Sequence, residues 1–289
     1  MSLSPPPAEP PPPPLPVPVV DQIEVLSPGK GPRRRLRYHP TKPWTLAISA
    51  KLHAREKVNT HTAYDVDVPP FAYGLAVTGV DPRNGVVRLQ LRGTEATVGR
   101  GKGAEVATSF VALFRQLVGS HRAWIEVDPR GVITGAGIVG VVADGDRPAI
   151  LREMRQLFYS ATVPLPDSPI APGARWRVVS RVERAGVIVK QTAAYHLRAA
   201  AGDRLTVDVD VEQVGEAQLV AAQETVDTSA DLHAFVWSAT GRLTIALSKV
   251  TASGALTIDQ RVHGGVRVGA RVADVYDAAT GTLTLSSTW

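Results

Sequence analysis

From about Trp44 onward, apolar and polar residues alternate with a period of two. In "LTVDVDVEQV", Leu205, Val207, Val209 and Val211 fall on one side, and Thr206, Asp208, Asp210 and Glu212 on the other. In "RWRVVSRVER", Trp176, Val178 and Val182 share a face, and Arg175, Arg177 and Arg181 share the opposite one. "GVVRLQLRG" and "AWIEVDP" follow the same rule. One dry face and one wet face predicts antiparallel sheet. Glycine-bearing turn signals recur between these runs: "DPRNGV", "DPRGV", "ERAGV", "AAGDR", "SATGR", "TASGA" and "DAATGT". Each places glycine where a hairpin needs positive φ, so a meander of hairpins is expected.

Two segments break the period. "GAEVATSFVALFRQLVG" puts Val106, Phe110, Leu113, Phe114 and Leu117 on one helical stripe. "DGDRPAILREMRQLFYSATV" does the same with Ile150, Met154, Leu157, Phe158 and Ala161, with Asp146 as N-cap and Pro148 in the first turn. Two apolar-striped helices need a surface to lie on, and the dry face of the sheet is the candidate. The predicted fold class is mainly β: a large curved antiparallel sheet, or half-barrel, with two helices packed on its concave face.

One stretch suggests a different chemistry. Gly135, Gly137 and Gly140 have G-x-G-x-x-G spacing. A dinucleotide site needs a helix opening directly after such glycines, because the helix N-terminus holds the pyrophosphate. Here "VVADGDRP" intervenes. The glycines therefore read as a strand or bulge that lets another backbone or the second helix approach closely. "GRGKG" at Gly99–Gly103 lacks the spacing and the Ser/Thr of a phosphate loop, and reads as a loop. No cofactor is expected.

The tail and its sequel define the domain plan. Ten of the first 18 residues are proline, which takes up extended polyproline II and packs against nothing. Residues 1–32 are expected to be a disordered proline-rich tether. Residues 33–289 are expected to form a single β-rich domain in two halves, 33–163 and 173–289, joined by a proline-rich crossover. Arg33, Arg34, Arg35 and Arg37 form a basic cluster. It reads as the solvated lead-in to a first strand, with contact to an anionic membrane surface as the sharper alternative.

Charge and composition narrow the classes. The 289-residue chain carries a net charge of +5, with both signs interspersed. That balance tolerates an anionic partner without demanding one, and no nucleic-acid partner is expected. The absence of cysteine excludes disulfides, thiolate metal sites and cysteine nucleophiles. No stretch approaches the roughly 20 apolar residues of a membrane-spanning helix. The N-terminus does not read as a signal peptide, so the expected location is the cell envelope if an export signal has been removed, and otherwise the cytoplasm.

No catalytic or metal-ligating set is legible. The acids Asp208, Asp210 and Glu212 are expected to pair across the sheet, with the basic strand Arg175–Arg181 as the ready partner. The seven histidines are scattered, with no helical i, i+4 pair, and no metal site is expected. Nothing assembles a nucleophile, a base and an orienter, so an envelope hydrolase is the third-ranked reading.

The most specific stretch is "ATVPLPDSPIAPGARWRVVSRV". Pro164, Pro166, Pro169 and Pro172 bar regular structure, and Gly173 frees the backbone before Trp176. By itself this reads as a rigid crossover between two halves of a sheet. Pro166, Pro169, Ile170, Gly173 and Trp176, preceded by Asp128 and Gly131 of "VDPRGVITGAG", also form a pattern that resembles a group of bacterial envelope proteins of unknown function. In that group the crossover likewise follows a helix and precedes a β meander. The shape it implies is the open, half-wrapped antiparallel barrel of the LolA/LppX-like lipoprotein carriers. The similarity runs from about Leu36 to the C-terminus by order of elements.

The leading expectation is thus a non-enzymatic envelope protein that binds a lipid or other apolar ligand between sheet and helices. Phe110, Phe114, Phe158 and Trp176 are the candidate walls, and each has a plain core role as its alternative. The second expectation is a structural or interaction module on a proline-rich stalk, with no ligand.

Overall fold

The computed structural model describes residues 19–68, 70–99, 122–139, 158–184, 187–220, 228–268 and 271–288. Among the described residues, fourteen strands form a single sheet. The first seven are β1 (Val19–Ser27), β2 (Trp44–Val58), β3 (Tyr64–Asp67), β4 (Phe71–Arg83), β5 (Val86–Val98), β6 (Arg122–Val127) and β7 (Ile133–Val139). The rest are β8 (Arg175–Arg184), β9 (Val187–Ala201), β10 (Arg204–Gly215), β11 (Gln218–Val220), β12 (Thr228–Ala246), β13 (Ala252–Val268) and β14 (Arg271–Thr288). Their order is β1-β8-β9-β10-β12-β13-β14-β2-β4-β5-β6-β7, with β3 on β2 and β11 on β12. Every pairing is antiparallel. β1 and β7 are the ends of the path and do not pair with each other, so the described sheet is open.

The period-two reading holds in detail. Along β10, Leu205, Val207, Val209 and Val211 are buried, while their neighbours alternate outward. Along β8, Trp176, Val178 and Val182 are buried with Ser180 between them. This inner face carries a continuous apolar core, in which each fully buried large side chain stabilises by about 1.5–3 kcal/mol.

Two expected hairpins are not hairpins. "SATGR" and "DAATGT" lie inside β12 and β14, whereas "TASGA" begins at the end of the β12–β13 reversal. A Cβ on Gly241 would stand 2.2 Å from the Ala255 carbonyl oxygen, and one on Gly281 would stand 2.1 Å from that of Lys51. Glycine serves there for close approach of neighbouring backbones rather than for reversal. The result is three strands of 17 to 19 residues in place of short hairpins. The expected turns at "DPRNGV", "DPRGV" and "AAGDR" are present, with Gly85, Gly131 and Gly202 at positive φ.

The tether expected over 1–32 does not run that far. Val19–Ser27 is β1, paired with β8 and held by the ion pairs Arg177–Glu24 (2.6 Å) and Arg181–Asp21 (3.0 Å). Val20, Ile23 and Val25 pack on the core, which is why this short alternating run joins the sheet. The arginine cluster therefore follows the first strand instead of leading into it. Residues 1–18 lie outside the described residues.

The two expected helices, including Phe110 and Phe114, also lie outside the described residues, except the last turn of the second, Phe158–Ser160. From that turn the proline-rich crossover runs along the inner face. Ala161 through Pro166 are all buried, an uncommon place for irregular chain. Its prolines reduce the backbone donors that need partners, and the remaining groups find them. Leu165 N–H donates to the Arg130 carbonyl (2.7 Å), and Arg34 and Ile170 exchange both backbone bonds (3.0 Å each). Tyr38 Oη donates to the Val163 carbonyl (2.9 Å), and the Trp176 indole donates to that of Pro164 (2.9 Å). The crossover is thus part of the core.

Candidate functional site

The expected site lies between the sheet and the two helices, of which only Phe158–Ser160 falls within the described residues. Phe158 and Trp176 are both fully buried there. Trp176 stacks on Tyr195 at 5.2 Å, and with its indole bond to the crossover this is the setting of a core residue. A cavity of about 40 Å³ lies on the inner face, lined by Tyr159, Gln191, Gln213 and Trp237 among others. That is room for about one water, far below the roughly 300–1,000 Å³ of small-molecule pockets.

The cavity lies against a polar row across the apolar face. Strand register aligns Ser180, Gln191, Gln213, Trp237 and Gln260 side by side on β8, β9, β10, β12 and β13. Gln213 Nε2 donates to Gln191 Oε1 (2.6 Å), Gln191 Nε2 donates to Tyr159 Oη (2.9 Å), and Tyr159 Oη meets Ser180 Oγ (2.8 Å). Buried amides are tolerated only when bonded in this way, and the chain fixes where the helical turn sits on the sheet. Gln260 in turn bonds Asp277, whose carboxyl is pushed up by burial and by the neighbouring Glu56.

The outer face is different. On β2, β12, β13 and β14 a groove of about 410 Å³ is bordered by Arg55, Lys57, Val236, Arg261, His263 and Tyr276, with Ala63 from the loop after β2. Register explains the grouping: Val236, Arg261, Ala278 and Arg55 form one row across the four strands, and Ala234, His263, Tyr276 and Lys57 the next. Val236 is 39% exposed and Tyr276 41%. The His263 and Tyr276 rings stack at 4.0 Å and 10°, and the Lys57 ammonium stands 5.8 Å from the Tyr276 ring. Arg261 stands between Val236 and Ala278, and Arg55 and Lys57 close the two rows on β2, so cations and apolar groups alternate along the groove, which Glu56 and Asp277 also line.

No family model and no curated protein matches this chain.

The basic cluster is largely engaged by the chain itself. Arg34 donates to the Gly202 carbonyl (2.6 Å), Arg35 to that of Asp167 (3.1 Å) and Arg37 to that of Pro166 (3.1 Å), and Arg37 also pairs with the Asp167 carboxylate. Asp208 does pair across the sheet, but with Arg242 of β12 (2.7 Å) and Arg198 of β9, not with the Arg175–Arg181 strand. β9 lies between β8 and β10, so the basic strand is one place too far away and pairs with β1 instead. Gly135 and Gly137 sit within β7, as the strand reading expected. What approaches them is the indole of Trp124 on β6: a Cβ on Gly137 would stand 2.7 Å from it. Gly140 lies outside the described residues.

The groove residues were not singled out from sequence. Arg55, Arg261 and Tyr276 are separated by up to 221 positions, and only strand register makes them neighbours. Among the described residues, no helix is long and apolar enough to cross a membrane.

Proposed function

We propose that this chain is a binding protein of the cell envelope that takes a fatty-acyl ligand with an anionic head group. The ligand lies in the outer-face groove over Val236, Ala278 and Tyr276, and its head group meets Arg55, Lys57 or Arg261. The observation that carries this reading is the groove itself: about 410 Å³ of space over Val236, Ala278 and Tyr276, with Arg55, Lys57 and Arg261 beside them. Its volume lies in the range of small-molecule sites. Apolar side chains left about 40% exposed lose contact with water when an acyl chain covers them, at about 25 cal/mol per Å². The envelope location and the half-barrel shape rest on the resemblance to lipoprotein carriers. The open antiparallel sheet supports that resemblance at the level of architecture alone.

Displacement of a fluorescent fatty acid, together with native mass spectrometry of the gently purified chain, tests the proposal. Val236→Glu places a carboxylate among the groove's apolar side chains and Arg261→Glu inverts the charge beside them. Both positions face solvent, so the fold tolerates them. Each is expected to weaken binding by about tenfold or more. A clean apo mass with no uptake of the probe overturns the proposal and leaves an interaction module without a ligand.

A further inference from the structure

The outer face gathers a second set of groups at the end of β12, β13 and β14. His233, His263 and Asp274 lie on these three neighbouring strands, 30 and 11 positions apart in sequence. His263 Nε2 is 2.9 Å from Asp274 Oδ1, His233 Nδ1 is 3.4 Å from His263 Nε2, and His233 Nδ1 is 3.9 Å from Asp274 Oδ1. Ligand atoms about 2.1 Å from a tetrahedral zinc ion stand about 3.4 Å from one another. The three separations bracket that value, so one ion reaches all three atoms with only small side-chain rotations.

Local structure holds the set in place. His233 is the extra residue of a β-bulge, because Leu232 pairs with Gly264 and Ala234 with His263. A bulge re-aims the side chain it carries, and here the His233 ring meets that of His263 edge to face at 4.7 Å. Gly264 admits the bulge, since a Cβ there would stand 2.6 Å from the Asp231 carbonyl oxygen. The His263 ring is stacked on Tyr276. The Asp274 backbone is clamped from both sides by Asn59: Asp274 N–H donates to Asn59 Oδ1 (2.8 Å), and Asn59 N–H donates to the Asp274 carbonyl (2.7 Å). Asn59 adopts φ of 52° to do so. Such second-layer support is what orients metal ligands.

We propose that His233 Nδ1, His263 Nε2 and Asp274 Oδ1 bind one divalent transition-metal ion, with Zn²⁺ the best match to two imidazoles and one carboxylate. Three protein ligands leave a fourth position for water. The site shares His263 with the groove but rests on ligand geometry and the bulge, not on the fatty-acyl reading.

The test uses the full chain without a polyhistidine tag. It is dialysed against zinc chloride and then against metal-free buffer, and bound zinc is counted by elemental analysis; calorimetry with zinc chloride gives the affinity. One equivalent is expected. Asp274→Asn keeps the backbone clamp and removes the charged ligand, and His233→Gln removes an imidazole from an exposed position; each is expected to weaken zinc binding by at least about tenfold. His196→Gln, on β9, is expected to leave it unchanged. Cobalt(II) in place of zinc should give the intense visible bands of tetrahedral coordination, lost in Asp274→Asn. No zinc retained by the wild-type chain, or one equivalent retained equally by both ligand variants, overturns the proposal. Neither outcome bears on fatty-acid binding, which is read separately.

Discussion

Gly137 shows how one residue's meaning depends on its neighbour across the sheet. Its spacing with Gly135 suggests a phosphate-binding turn, yet it lies in a strand under the Trp124 indole. The Arg88 guanidinium covers that indole at 4.2 Å and is itself held by Glu126 Oε1 through Nε (2.9 Å) and Nη2 (2.6 Å). The missing Cβ is therefore the space that Trp124 fills, and the stacked guanidinium gives the ring little room to move. Gly137→Ala is expected to cost about 1–3 kcal/mol, the usual penalty for overpacking. Urea unfolding measures the loss, and a shifted tryptophan emission reports the displaced ring. Unchanged stability would show that Trp124 relaxes freely.

At the scale of elements, Asp208 ties three strands together. It accepts from Arg198 on β9 and Arg242 on β12, and these bonds hold its carboxyl down to about 2, from an ordinary 3.8. A carboxyl depressed in the folded state contributes its full stabilisation above about pH 4. That contribution disappears as the pH falls through about 2. The difference in melting temperature between the wild type and Asp208→Asn is therefore expected to be flat from neutral pH to about pH 4 and to close between about pH 4 and pH 2. Asp208 lies near the surface, so the difference is small and shrinks with added salt. A difference that grows on acidification would contradict the assignment. The same strands show what sequence period can and cannot deliver. It places Asp208 on the wet face, but the partner depends on strand order, which puts β9 and not β8 beside β10.

For the whole molecule, the two halves of the chain share a single sheet. β14 pairs with β2 continuously from Val275 opposite Val58 to Thr288 opposite Thr45. The crossover reaches both sides of this seam: Leu165 bonds the β6–β7 turn at Arg130, and Ala161 accepts from Ala252 of β13. The Trp44 indole at the start of β2 donates to Thr251 Oγ1 (2.8 Å), just before β13. A structure stitched in this way is expected to unfold in one cooperative transition, with tryptophan fluorescence and far-ultraviolet circular dichroism superimposing. Two separated transitions would mean that the halves are independent folding units.

The sequence by itself determined the class and the faces. Alternation in "LTVDVDVEQV" and "RWRVVSRVER" names the buried residues of β8 and β10 correctly, because a strand's side-chain period is a property of the backbone alone. It located the turns at Gly85, Gly131 and Gly202, where positive φ is a local demand. What the tertiary structure decided is everything that depends on which strands are neighbours. Gly241 and Gly281 carry turn-like sequences but sit where backbones crowd, and only the packed sheet reveals it. The proline stretch reads as a rigid crossover, but its burial in the core depends on partners as distant as Tyr38 and Arg130. Arg55, Arg261 and Tyr276, and likewise His233, His263 and Asp274, have no pattern in the chain. Register across β2, β12, β13 and β14 brings them together, and register is set by the whole buried face rather than by any one segment.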